Sequence, residues 1–123
     1  MDAAADSPLS GANIMYTLHF YAGSHGQNLR DKVSYALNKG RAIFVTEWGT
    51  TTSDGKGSIY PDATREWIGF LADQKISWCN WSLGDQREGS AALNPGANLK
   101  GGWSDDDLTA SGKLVKSLLN TSE

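Results

Sequence analysis

Four side chains of the sequence could do chemistry together if their strands lie side by side. Residues two apart in a strand face the same way, so His19 and Tyr21 point together at the end of one apolar run. Glu47 ends a second run, on the face that strict alternation assigns to Ile43 and Val45. Trp81 ends a third, on the face of Cys79. An imidazole, a phenol, a carboxylate and an indole would thus gather where consecutive parallel strands finish. Taken singly, each has a plainer reading: a solvated strand-end acid, a satisfied core histidine, a packed tyrosine, a core tryptophan. Their gathering at three successive strand ends shifts the balance, because (β/α) folds build their sites there.

The elements that must carry them alternate short apolar runs with amphipathic stretches, which predicts βα units and a parallel sheet. Strands are expected over 14–21, 42–47 and 76–83. Between the first two, Leu29, Val33, Ala36 and Leu37 recur at helical spacing and Gly40 supplies a stop. The second run is apolar on both faces, as a buried parallel strand requires. Pro61 opens the next helix, where a missing N–H costs least, with Thr64, Trp67, Ile68 and Leu71 as its buried stripe. A long Gly/Asn/Pro loop runs from Gly84 to about Asp107, and a last helix near 111–120 is expected to bury Leu114, Val115, Leu118 and Leu119. Cys79, the one cysteine, reads as a small buried strand residue and excludes an internal disulfide.

Composition narrows the partners. The 123 residues suit a single domain, and a net charge of −3 with no basic run argues against a nucleic-acid surface. No stretch is long and apolar enough to span a membrane, and the opening residues Met1 to Ser10 lack the basic and apolar regions of a signal peptide. Five tryptophans fit a carbohydrate binder, although a Trp-rich core gives the same count. His19 and His25 lack a ligand set, so neither metal nor cofactor is implied.

The strings Tyr16-Thr-Leu-His19-Phe-Tyr21-Ala-Gly, Phe44-Val-Thr-Glu47-Trp48-Gly and Ser77-Trp-Cys-Asn-Trp81-Ser-Leu resemble the last three strands of glycoside hydrolase family 5 endo-β-1,4-glucanases. Leu29-Arg-Asp-Lys-Val, Ser90-Ala-Ala-Leu and Gly101-Gly-Trp103 are similar to the bacterial cellulase branch. The resemblance covers nearly the whole chain and implies an incomplete TIM barrel, (β/α)8, of which residues 1–123 would be one domain holding the three C-terminal βα units. It implies double displacement with retention, with Glu47 as nucleophile, Tyr21 as the hydrogen-bond donor holding it in line, and His19 lining the cleft. Trp81 would be the sugar platform, through a cis bond to Ser82 like the one the family shows, and Glu88 a loop carboxylate for sugar hydroxyls. Gln86 stands where relatives commonly carry a lysine, with Arg87 beside it, and a guanidinium does not replace an ammonium donor for donor. The implied parent is a secreted, extracellular bacterial enzyme acting on β-glucan or cello-oligosaccharide.

A retaining glycosidase also needs a second carboxyl group about 5–5.5 Å from the nucleophile. The family carries it in an Asn-Glu-Pro motif that the sequence does not contain, and neither Glu66, in a helix, nor Glu88, in a loop, is a natural stand-in. The chain is therefore expected to be inactive unless complemented. With two open sheet edges it is expected to self-associate or to pair with the missing N-terminal barrel portion. The competing reading is a carbohydrate-binding module holding glucan through Trp81, Trp48 and Trp103, against which the helical periodicity between strands weighs.

Overall fold

The β-branched and aromatic runs form three parallel strands, β1 (Tyr16–Tyr21), β2 (Ile43–Gly49) and β3 (Trp78–Asn80), in the order β1-β2-β3. The computed structural model describes residues 2–120. Helix α1 (Asp2–Asp6) precedes the sheet, α2 (Gln27–Asn38) and α3 (Pro61–Asp73) join the strands, and α4 (Ala110–Leu119) follows a single 3-10 turn at Asp105–Asp107. Each strand is followed by a helix, so these are three βα units where a closed (β/α)8 barrel has eight.

The expected helix signals operate. Gly40 follows α2 with φ +73°, a left-handed conformation that costs glycine little, and Pro61 sits in the first turn of α3. Thr109 caps α4 by accepting from Gly112 N–H at 3.0 Å. The short α1 carries too little periodicity to be read from sequence. It docks on α2 through buried Ala5, the Tyr35 hydroxyl on Asp6, and ion pairs from Lys32 to Asp2 and Lys39 to Asp6.

One face of the sheet meets the helices. Phe20 lies between the rings of Trp48 and Trp67, with centroids 5.7 and 4.0 Å away and planes within 15° of parallel. Trp78 meets Trp48 edge-on at 5.3 Å. Val33 and Ala36 of α2, Leu71 of α3 and Leu114, Val115 and Leu118 of α4 close the core. Arg30 lies 5.3 Å over Trp67 and pairs with Glu66 at 3.2 Å.

Three expectations are corrected. Cys79 is exposed, not buried: Trp78 packs on Trp48, so alternation turns Cys79 to the face that, among the described residues, no helix covers. Leu119 is 56% exposed because it turns from the Leu114–Leu118 stripe towards a groove beside β3. The third correction concerns Glu47. Leu18 pairs with Val45 but His19 pairs with Glu47, leaving Thr46 as an extra residue in β2, and the pairing of β2 with β3 slips over the same stretch. Strict alternation fails at this bulge. Ile43 and Val45 are buried under the helices, while Glu47 turns to the opposite face beside His19 and Tyr21, and Trp48 returns to the core.

Truncating the helix-borne ring of this stack, which is fully buried, leaves a large void. Trp67→Ala is expected to destabilise the chain by about 3–5 kcal/mol, read as a lowered urea midpoint; an unchanged midpoint would show that the stack contributes little.

Candidate active site

The bulge assembles the site. Glu47 sits near the C-terminal end of β2 with its side chain 26% exposed. The Tyr21 hydroxyl donates to Glu47 Oε1 at 2.7 Å, and His19 Nδ1 lies 3.6 Å from Glu47 Oε2. One carboxylate thus meets a phenol on one oxygen and an imidazole on the other. Thr46, displaced by the bulge, joins its hydroxyl to His19 Nε2 at 2.8 Å and to the Thr17 hydroxyl. The result is a polar chain, Thr17–Thr46–His19–Glu47–Tyr21, along the β1–β2 seam.

Gly49 is required beneath Tyr21. A Cβ there would come within 2.4 Å of Tyr21 Cε1, so any larger residue pushes the ring off the carboxylate. Burial first, then the hydrogen bond to Glu47 and the negative charges of Glu47 and Glu88, hold the phenol well above the usual tyrosine range.

Trp81 follows β3 directly. Its N–H donates to Trp48 O at 2.7 Å, tying its backbone to the residue after Glu47, and its side chain is exposed. The Trp81–Ser82 peptide is cis. Glu88 accepts at Oε1 from the Ser90 hydroxyl and the Gln86 amide, each at 3.1 Å, and Gln86 also donates to the Ser82 hydroxyl at 2.8 Å. The loop is fixed from below, where the Ser111 and Thr50 hydroxyls meet at 2.8 Å and Thr109 donates to Ala91 O. This node joins the loops after β2 and β3 to the start of α4.

The sequence reading thus finds Glu47, Tyr21 and His19 in contact, with Trp81 and Glu88 on the neighbouring loop. It missed Thr46, Gly49, Ser90 and the bonding of Gln86. The bulge had left a trace: apolar core residues fall at Ile43, Val45 and Trp48, a spacing of two and then three. The binding-module grouping of Trp81, Trp48 and Trp103 is corrected. Trp48 is fully buried against Phe20 and cannot meet a ligand, and Trp103 lines the groove beside α4, where its indole N–H donates to Asn98 O.

The folded chain holds the Tyr21 proton more tightly than the unfolded chain does. This contribution to stability is fully present below about pH 10 and is lost as pH rises beyond it. Wild-type stability is therefore expected to fall more steeply above about pH 10 than that of Tyr21→Phe, whose own cost at neutral pH is about 1–2 kcal/mol. Parallel urea-stability profiles for the two chains would show that the phenol is not held this way.

Residues 1–87 match the model of the cellulase family, glycosyl hydrolase family 5. The chain is 57% identical over 116 residues to an endoglucanase of Clostridium saccharobutylicum, covering 94% of this chain and 26% of that protein. It is 52% identical to endoglucanase 5 of Pectobacterium carotovorum, covering 92% and 22%. Among solved structures, a protein of Cytophaga hutchinsonii superposes with a TM-score of 0.92 at 50% identity, over 96% of this chain and 39% of that one. The catalytic domain of Thermobifida fusca endoglucanase Cel5A, in complex with cellotetraose, superposes at 0.88 and 36% identity, over 95% and 38%. The chain spans about a quarter of the length of the endoglucanases it matches. Its sequence and its strands agree: the chain belongs to glycosyl hydrolase family 5.

Proposed function

We propose that Glu47 is the nucleophile of a retaining endo-β-1,4-glucanase, with β-glucan or a cello-oligosaccharide as substrate. The observation that carries this reading is the 2.7 Å bond from Tyr21 to Glu47 at the C-terminal ends of parallel strands. A phenol on Oε1 leaves Oε2, flanked by His19 at 3.6 Å, to attack the anomeric carbon, and the Glu47–carbon bond forms as the glycosidic oxygen leaves with a proton from a second carboxyl group. Water, giving its proton to a second carboxyl group, then attacks the anomeric carbon from the side opposite Glu47 that the leaving group vacated, releasing the carboxylate, and the two inversions retain configuration. His19 lines the cleft at the reacting sugar. Trp81, 44% exposed, offers its indole to a pyranose face. Glu88, braced by Ser90 and Gln86, takes sugar hydroxyls. The endoglucanase names of relatives and the cellotetraose held by the Thermobifida fusca enzyme support the substrate class.

Gln86 replaces a cationic donor with a neutral one already engaged by Ser82 and Glu88, which weakens a distal glucose site. The 123 residues contain no Asn-Glu-Pro acid/base motif, and general acid help is typically worth 10²–10⁴-fold. Alone, the chain is expected to leave soluble β-glucan uncut. The parent enzyme, whose polymeric substrate lies outside cells, is placed there by the same reading.

The experiment is mechanism-based labelling with a 2-fluoro-cellobioside bearing a leaving group that needs no acid. The expected result is a covalent adduct on Glu47, absent from Glu47→Gln. Glucan binding without any adduct would favour a binding module instead. Turnover of soluble β-glucan by the chain alone, abolished by Glu47→Gln, would overturn the expectation of inertness.

The same reading gives the chain a partner: another copy of itself or a complementary barrel portion. Beside β3 lies an apolar groove of about 410 Å³ whose lining includes Trp78, Leu83, Trp103, Val115 and Leu119. Light scattering at micromolar concentration is expected to reveal self-association of the isolated chain; a monodisperse monomer would argue against it.

A further inference from the structure

His25, four residues beyond the phenol that holds Glu47, takes no part in the glycosidase reading. Its Nδ1 lies 2.9 Å from the Tyr21 backbone nitrogen and 3.3 Å from the Tyr21 carbonyl oxygen. Along β1 the Tyr16 and Ala22 N–H groups donate across to the β2 side, at Ala42 O and Gly49 O. Tyr21, one residue out of phase with them, therefore turns its N–H away from β2, towards the open edge of β1. There the imidazole meets it.

Which nitrogen carries the proton follows from counting partners. The Tyr21 carbonyl already accepts from the Ser24 and His25 N–H groups, each at 2.9 Å, so its two lone pairs are taken. A hydrogen on Nδ1 would find no acceptor there and would face the Tyr21 N–H head to head at 2.9 Å. We propose that His25 is a positioning residue for Tyr21: an imidazole with a bare Nδ1 and its proton on Nε2, which fixes the backbone from which the phenol reaches Glu47.

Separate anchors aim the ring. The His25 carbonyl accepts from Trp67 Nε1 at 2.7 Å, Ser24 Oγ accepts from Ser53 N–H at 2.8 Å, and Gly23 N–H donates to Thr51 O at 2.9 Å. Tyr21 is thereby held at its N–H by His25, at its ring by the space over Gly49, and at its hydroxyl by Glu47. The inference depends on the glycosidase reading only for its consequence, since the tautomer and the capped N–H stand whatever Glu47 attacks.

The test uses the ¹⁵N-labelled 123-residue chain at pH 7.5. Long-range ¹H–¹⁵N correlation is expected to show a bare Nδ1 and a protonated Nε2 for His25. A protonated Nδ1 would overturn the proposal whatever any variant does, including one that fails to fold. In His25→Ala the Tyr21 amide is expected to exchange about tenfold faster, relative to Ala22, whose bond to Gly49 O is untouched. The Tyr21 ring carbon bearing the hydroxyl is expected to shift towards its free value. His25→Asn, whose carbonyl oxygen can stand in for Nδ1, should restore both. Unchanged Tyr21 signals in folded His25→Ala would also overturn it. A correct tautomer with Glu47 unlabelled by the fluoroglycoside would sink the glycosidase reading alone; a wrong tautomer with Glu47 labelled would sink the positioning role alone.

Discussion

One extra residue in β2 decides what the sheet can do. Without Thr46 as a bulge, the period of two would keep Glu47 with Ile43 and Val45 under the helices, where a carboxylate would be desolvated among aromatic rings. Trp48 would then face outwards. The insertion exchanges the two, delivering a charge to the open face and an indole to the core within consecutive residues. Bulges are rare in parallel ladders and recur beside active sites. Here the displaced residue is bonded, since the Thr46 hydroxyl reaches both Thr17 and His19.

The site is stiffened from behind by the apolar core. Trp67 belongs to α3, yet its ring supports Phe20 of β1 and its N–H holds the His25 carbonyl beyond that strand. A buried ring stack therefore continues, through one hydrogen bond, into the turn that follows Tyr21. The groups around Glu47 thus come from two strands whose core faces meet in one ring stack.

Where a strong period met ordinary helix and strand rules, the fold was legible in the sequence. Pro61 and Gly40 mark helix ends, and the stripes of α2 and α3 are those that pack. The contact among Glu47, Tyr21 and His19 was also legible, but the stated geometry was not, because alternation contains no term for an inserted residue. Cys79 and Leu119 were misassigned for a related reason. Periodicity tells which residues share a face; whether anything covers that face depends on neighbours that a local pattern does not contain. The five-residue α1 fell below the length at which any period can be counted.

The hydroxyl node of Thr50 and Ser111 has a mechanical consequence for the chain. Gly112 packs so tightly on Ala92 that a Cβ would lie 2.1 Å from the Ala92 carbonyl oxygen, so α4 cannot shift without dragging the segment that ends the Glu88 loop. Fraying of α4 would then transmit slack to the loop that carries Glu88 while the strand register stayed intact. Loop order and sheet integrity would be lost in that sequence on warming, the loop first and the sheet later.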